Sequence, residues 1–429
     1  LAEPQHRDVP GPGDRAKSLL WQVVTGVTLF VAALAAFRGM LRERPFEVFP
    51  DHLFHILPAL GKEGWNGPQR ITYPLYHKTL TLVLGLFPEK GWPSARWSAA
   101  IVLALAVALR GWFSFAELRG PLPAAGAAVV CLLLAVAMAL PSGFRSPVAV
   151  GRPTNVWWPG FPSVYEGALN PNVWHNPTTI FAAPFAVLLF RLAILYLEAP
   201  GAGKALAVGI SSAVCSLAKP NYLLAFLPCF GLVMLGQAIT WLRQGRRDAR
   251  LAPVHALLAF ALPIATLAWQ FQTTFGGESK VVFQPMAVWS ASIDPAPAGQ
   301  PHRIRPLVLA ERVPRGILAG LAFPLVAIAC FARPARTDLR IVLAWSVLAT
   351  AVAEYALLAQ SGIEFLSGNF FWALVPASYI LYLESCRLAG AQPRGPRVAI
   401  CFGVLAVHAA SGAICLARTL TDPLHSLLF

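Results

Sequence analysis

Apolar stretches of membrane length recur along almost the whole chain, and no other feature restricts its fold so strongly. They run at about 18–37, 96–113, 121–141, 177–197, 204–218, 221–241, 253–271, 314–332, 340–360, 370–388 and 398–417. A hydrocarbon core about 30 Å thick takes about 20 helical residues to cross. Backbone inside it must satisfy its own polar groups, so such stretches fold as helices. The expected fold class is therefore an all-α polytopic membrane protein of about eleven transmembrane helices, with extracytoplasmic loops and one short interfacial helix. Composition agrees: of 429 residues, 56% are hydrophobic and only 13% are charged, and the mean hydropathy is +0.59. No polar segment between spans is long enough for a separate soluble domain.

Charge orients the chain. The formal charge is +14, but the Lys and Arg residues fall mostly in short loops, where they set topology and attract anionic lipid head groups. A nucleic-acid partner is not implied. Segment 73–87 is the ambiguous one, since as a helix it would reach only about 22 Å. If it crossed, RQGRRDAR (243–250), RPARTDLR (333–340) and the loop holding Arg394 and Arg397 would all lie outside. As an interfacial or re-entrant helix it leaves all three in the cytoplasm. The amino terminus then lies inside and the carboxyl terminus outside. Residues 1–17 read as a disordered cytoplasmic tail. The span at 18–37 reads as an anchor, because it is too long for a signal-peptide core. Two modules follow, 18–241 and 242–429, the second with an outer loop at 272–313. All seven cysteines fall within spans and read as small buried apolar residues.

This topology gathers 38–95, 142–176 and 272–313 on one face, with the Lys219-Pro220 turn beside them. Short loops inside and long loops outside suit an enzyme with an extracytoplasmic site. The first segment holds Asp51, His52 and His55, then Tyr73, Tyr76 and His77. The second holds Glu166, His175 and the pair Trp157 and Trp158, which serve either as an interfacial belt or as a platform for sugar rings. Asn176 and Pro177 suit the cap and first turn of a helix, whereas Asn170, Asn172, Trp174 and His175 have no evident structural task. The third segment holds Glu278, Arg303 and Arg305, and the two arginines suit a phosphate. Lys219, followed by Pro220 and Asn221, stands at the outer end of its span. It reads as a snorkelling anchor or as a cation for lipid-linked phosphate. Glu354 lies inside a span, and Glu384 lies near the cytoplasmic end, where Arg387 can pair with it.

Residues 49–77, FPDHLFHILPALGKEGWNGPQRITYPLYH, together with the small-residue stretch 204–220 ending in Lys-Pro, resemble elements of the GT-C class of polytopic, lipid-linked-sugar glycosyltransferases. The similarity covers roughly 18–241 and extends to the dolichyl-phosphate-mannose mannosyltransferase and aminoarabinose transferase superfamily. It implies transfer of a sugar from a polyprenyl-phosphate donor to a glycan, lipid or protein acceptor. The setting would be the extracytoplasmic face of the plasma (inner) membrane, with inversion at the anomeric carbon. Asp51 would be the base, with His52 and Glu166 as further catalytic candidates. Lys219 or Arg303 and Arg305 would meet the departing phosphate. His55, Tyr73, Tyr76, His77, Trp157, Trp158, Asn172, Trp174, His175, Asn221 and Glu278 would contact substrate. Many members carry two adjacent acids in the first loop, whereas here His52 follows Asp51. That departure puts a bound divalent metal in doubt: one is possible but not indicated, with His52 and His55 either its candidate ligands or groups that orient the carboxylate, and no cofactor is certain.

Two other readings use the same residues. A flippase or transporter of lipid-linked sugars would favour mid-membrane charges and repeated halves; Glu354 is such a charge, but no repeat is evident. An oligosaccharide polymerase or ligase would suit the late outer loop at 272–313. The topology itself is testable. A cysteine placed within 243–250 is expected to resist an impermeant thiol reagent in intact cells, and one within 285–300 to react. Labelling of the first from outside would reverse the orientation.

Overall fold

The computed structural model describes residues 12–41, 52, 55–61, 73–140, 169–174, 176–245, 248–275, 280–289, 306–361 and 369–421. Its helices are α1 (Pro12–Met40), α2 (Pro74–Leu84), α3 (Trp92–Leu118), α4 (Ala124–Val136), α5 (Pro177–Glu198), α6 (Ala202–Ala218) and α7 (Asn221–Arg243). They continue with α8 (Asp248–Phe275), α9 (Pro306–Cys330), α10 (Ala332–Thr337), α11 (Leu339–Leu357), α12 (Leu374–Gly390) and α13 (Pro396–Thr421). A single pair of short antiparallel strands, β1 (Val281–Phe283) and β2 (Leu358–Gln360), is described, with Val281 opposite Gln360.

A helix stands at each of the eleven expected positions, and eight of the described helices are long and apolar enough to cross a membrane. The chain is thus a multi-pass, helical, membrane-type protein. α1 begins at Pro12, ahead of the expected start of the span, so residues 12–17 are helix rather than tail. Proline early in the first turn and Asp14 near the positive end of the helix dipole favour that earlier start. The expected span at 340–360 ends instead at Leu357, where the backbone turns extended and pairs as β2.

α3, α5 and α12 form the centre: nearly every side chain of α12 is buried, and most of α5 is too. α1 packs on α3, α6 on both α5 and α8, and α11 on α7 and α12. Leu232, Leu257 and Ile264 on the outer helices face outward, as lipid contact requires. Gly209 lets α6 and α8 meet, since a Cβ there would sit 2.2 Å from the Leu258 carbonyl oxygen. Such close backbone approach is how membrane helices gain packing without a hydrophobic drive.

α4 stops short, and after the Ala137 N–H closes its last bond to Leu133 the chain runs on as irregular backbone to Leu140, mostly buried in the bundle. Its polar groups are met one by one. Asn172 Nδ2 donates to the carbonyls of Leu134 (2.8 Å) and Ala137 (2.7 Å). Asn170 Oδ1 accepts from Ala139 N at 2.7 Å. Ser411 donates to the Ala139 carbonyl (2.7 Å), and His408 Nδ1 reaches the Met138 carbonyl (2.6 Å) and the Tyr382 hydroxyl (3.0 Å). Irregular backbone is stable at such depth only with this replacement.

Asn172, expected at the substrate, thus has a structural task that its sequence context did not reveal. Asn172→Leu leaves two buried carbonyls without their donor and is expected to cost about 1–3 kcal/mol for each. Thermal unfolding in detergent measures it; an unchanged Tm with weakened substrate binding would return Asn172 to the substrate.

Candidate functional site

At one end of the bundle, residues from five separate stretches converge. Asn176 caps α5, its Oδ1 accepting from Thr179 N at 3.0 Å, and Pro177 opens the helix, both as the sequence suggested. Lys219 ends α6 in extended backbone and is only 6% exposed. Its Nζ donates to Asn176 Oδ1 and to Thr178 Oγ1, both at 2.9 Å, and lies 4.8 Å from the ring centre of Trp372 and 6.0 Å from that of Tyr73. Asn221, half-buried, begins α7 two residues on. The ammonium therefore sits at the positive end of the α5 dipole, an electrostatic setting that favours an anion close by.

The YPLYH stretch gives α2, with Tyr73 before it and Pro74 at its first turn. Tyr73 and His77 fall one helical turn apart, their rings 6.3 Å apart. His55 comes from the preceding loop. Its ring centre is 5.1 Å from His77, 6.0 Å from Tyr76 and 6.3 Å from Tyr73, and His55 Nδ1 is 3.0 Å from His77 Nε2. Burial is the chief reason His55 lies well below the ordinary imidazole value, followed by the charges of His77, Lys219 and His52. Burial takes His77 down to about 4, the Tyr73 carbonyl opposing it. Tyr76 is wholly buried against Phe181, which pushes its phenol up.

His52, expected among the catalytic groups, is enclosed. Its Nε2 lies 3.1 Å from the Trp174 carbonyl, and both residues pack on Phe37. Its place ties the first loop to the 169–174 segment and to α1. Trp174, expected to stack on sugar, is likewise buried, with its indole against Phe37.

Of the expected site residues, the structure brings together His52, His55, Tyr73, Tyr76, His77, Trp174, Lys219 and Asn221, while Asn172 serves α4. Asp51, Trp157, Trp158, Glu166, His175, Glu278, Arg303 and Arg305 lie outside the described residues. Among the described residues, no group of three or more His, Cys, Asp or Glu side chains could hold a metal ion. Trp372, Asn176 and Thr178 were not expected as partners of Lys219. Trp372 stands at the start of a span, where tryptophan is commonplace, and no spacing links it to residue 219. Arg110 was also missed: it is 5% exposed within α3, its guanidinium 4.3 Å from the Tyr379 ring centre.

The other end of the bundle is built differently. Arg340 pairs with Glu117 (2.5 Å), Glu198 (3.1 Å) and, more loosely, Glu384 (3.9 Å). Glu117 also holds Arg191 at 3.1 Å, and Arg387 joins Glu384 (2.5 Å) to Asp338. Apart from Arg191, which lies about two turns inside α5, these residues belong to helix ends or loops that the sequence put in the cytoplasm, and the pairing of Glu384 with Arg387 is the one expected.

No protein-family model matches the chain, and no curated protein matches it.

Proposed function

We propose that the chain is a membrane glycosyltransferase of GT-C type. It moves a sugar from a polyprenyl-phosphate donor to a glycan, lipid or protein acceptor on the extracytoplasmic face of the plasma (inner) membrane, with inversion. The observation that supports this reading best is Lys219. A buried ammonium, placed by Asn176 and Thr178 at the start of α5 and flanked by Trp372 and Tyr73, suits a phosphate whose charge grows as the sugar leaves. Tyr73 and Trp372 offer ring faces for a sugar beside it. The resemblance assigns the base to Asp51.

Eleven crossings accompany this reading. Two of the three shorter helices have extensions that add to their length. α4, at about 20 Å, gains about 13 Å from residues 137–140. α12 follows the 3-10 turn Asn369–Ala373, and α6 spans about 25 Å by itself. α2, at about 16 Å, is too short to cross and suits the interface. With the amino terminus inside, the Lys219 end then faces outward and the Arg340 end inward.

The transporter reading draws on one specific observation, the broken passage through 137–140, because discontinuous helices line many transport sites. Proteoliposomes given a tritiated polyprenyl-phosphate hexose or pentose, with membrane glycolipid as acceptor, separate the two. Release of polyprenyl phosphate is expected. Movement of intact donor between leaflets without release would leave a transporter. Lys219→Met keeps the aliphatic stem and is expected to raise the donor KM about 10–100-fold by losing charge-assisted bonds; an unchanged KM would make Lys219 an anchor.

A further inference from the structure

The contact between His55 and His77 has a direction. His77 Nδ1 is buried with no hydrogen-bond partner among the described residues, and the Tyr73 backbone favours the protonated ring. With the hydrogen of the neutral ring at Nδ1, Nε2 keeps its lone pair. That lone pair faces His55 Nδ1 at 3.0 Å, which makes His55 the donor. The second nitrogen of His55, Nε2, is then an acceptor. His52 is set the opposite way, since its Nε2 must donate to the Trp174 carbonyl. Of these two histidines, His52 is wholly buried and His55 half-buried, so His55 is the one that offers a basic nitrogen beside Lys219.

We propose that His55 Nε2 is the general base of this site and that His77 is the positioning residue that fixes its tautomer. The proposal rests on the glycosyl-transfer reading and moves the base from Asp51 to His55. The acceptor hydroxyl gives its proton to His55 Nε2 as its oxygen bonds to the anomeric carbon. The bond from that carbon to the phosphate oxygen breaks, and its electron pair stays on the polyprenyl phosphate. The imidazole gains one positive charge as the phosphate gains one negative charge, so the site as a whole stays balanced around Lys219.

The groups facing His55 explain why this coupling is tight. Among the described residues they are His77, Tyr73 and Tyr76 from α2, Lys219 at the end of α6, and His52 in its own loop. Burial and the charges of His77, Lys219 and His52 keep the free imidazole neutral and weakly basic. Negative charge developing on a phosphate at Lys219 offsets that field, and the imidazole then takes the proton as the leaving group departs. The sign for pH follows. With its folded value below the ordinary 6.5 or so, His55 is in its working form at neutral pH and loses it only as pH falls further. A bound anionic donor raises that value, so the acid limb of kcat is expected at higher pH than that of kcat/KM.

The test uses full-length protein in nanodiscs with the tritiated polyprenyl-phosphate sugar. His55→Gln is expected to lower kcat about 10²–10⁴-fold with little change in donor KM. His77→Gln, which still offers an oxygen to His55 Nδ1, is expected to keep kcat within about tenfold, while His77→Phe, with no acceptor, loses most of it. Nitrogen-15 spectra of the histidine-labelled protein at neutral pH are expected to show His55 protonated at Nδ1 alone. A His55 ring protonated at Nε2 overturns the proposal without any substrate. So does a wild type that turns over donor alongside a His55→Gln protein of near-equal kcat, with Asp51→Asn inactive; glycosyl transfer would then stand with Asp51 as base. Failure of the wild type to release polyprenyl phosphate removes the function and the base together.

Discussion

Hydrocarbon offers no hydrogen bonds, and every polar group taken into it must be met by the protein itself. That constraint explains the irregular parts of this fold better than any preference of individual residues. Where α4 unwinds, Asn170, Asn172, His408 and Ser411 supply what the helix no longer does. Where Lys219 turns inward, Asn176 and Thr178 meet it. The same side chain at Asn176 ends one account and begins another, capping α5 while receiving the lysine.

The two ends of the bundle answer the constraint in different ways. One balances guanidinium against carboxylate, so Arg340 and Arg387 neutralise acids on neighbouring helices. The other gathers imidazoles, rings and one ammonium, with hydrogen bonds to neutral oxygens and contacts to ring faces. Among the described residues, carboxylates gather at the first end, and the Lys219 ammonium stands at the second.

Much of the architecture could be read from the chain, because membrane helices leave a signal in runs of apolar residues. The position of each helix, the capping of α5 by Asn176 and the ion pair of Glu384 with Arg387 depend on neighbours in sequence. The role of Asn172 did not come through, since its partners at Leu134 and Ala137 lie in a helix whose early end no local residue announces. Nor did the partnership of Lys219 with Trp372, which joins residues 153 positions apart. The convergence of His55, His77 and Lys219 could be anticipated as residues on one face. The 3.0 Å approach of the two rings needed the geometry.

The Arg340 cluster also has a mechanical meaning. Because one guanidinium touches acids from α3, α5 and α12 at once, those helices are pinned together at that end and share a common fulcrum. A helix the length of α5, about 33 Å, need tilt only about 3° about that point to swing its far tip about 1.7 Å. A pivot at the Arg340 end would place the larger displacement at the Lys219 end and the smaller one at its own.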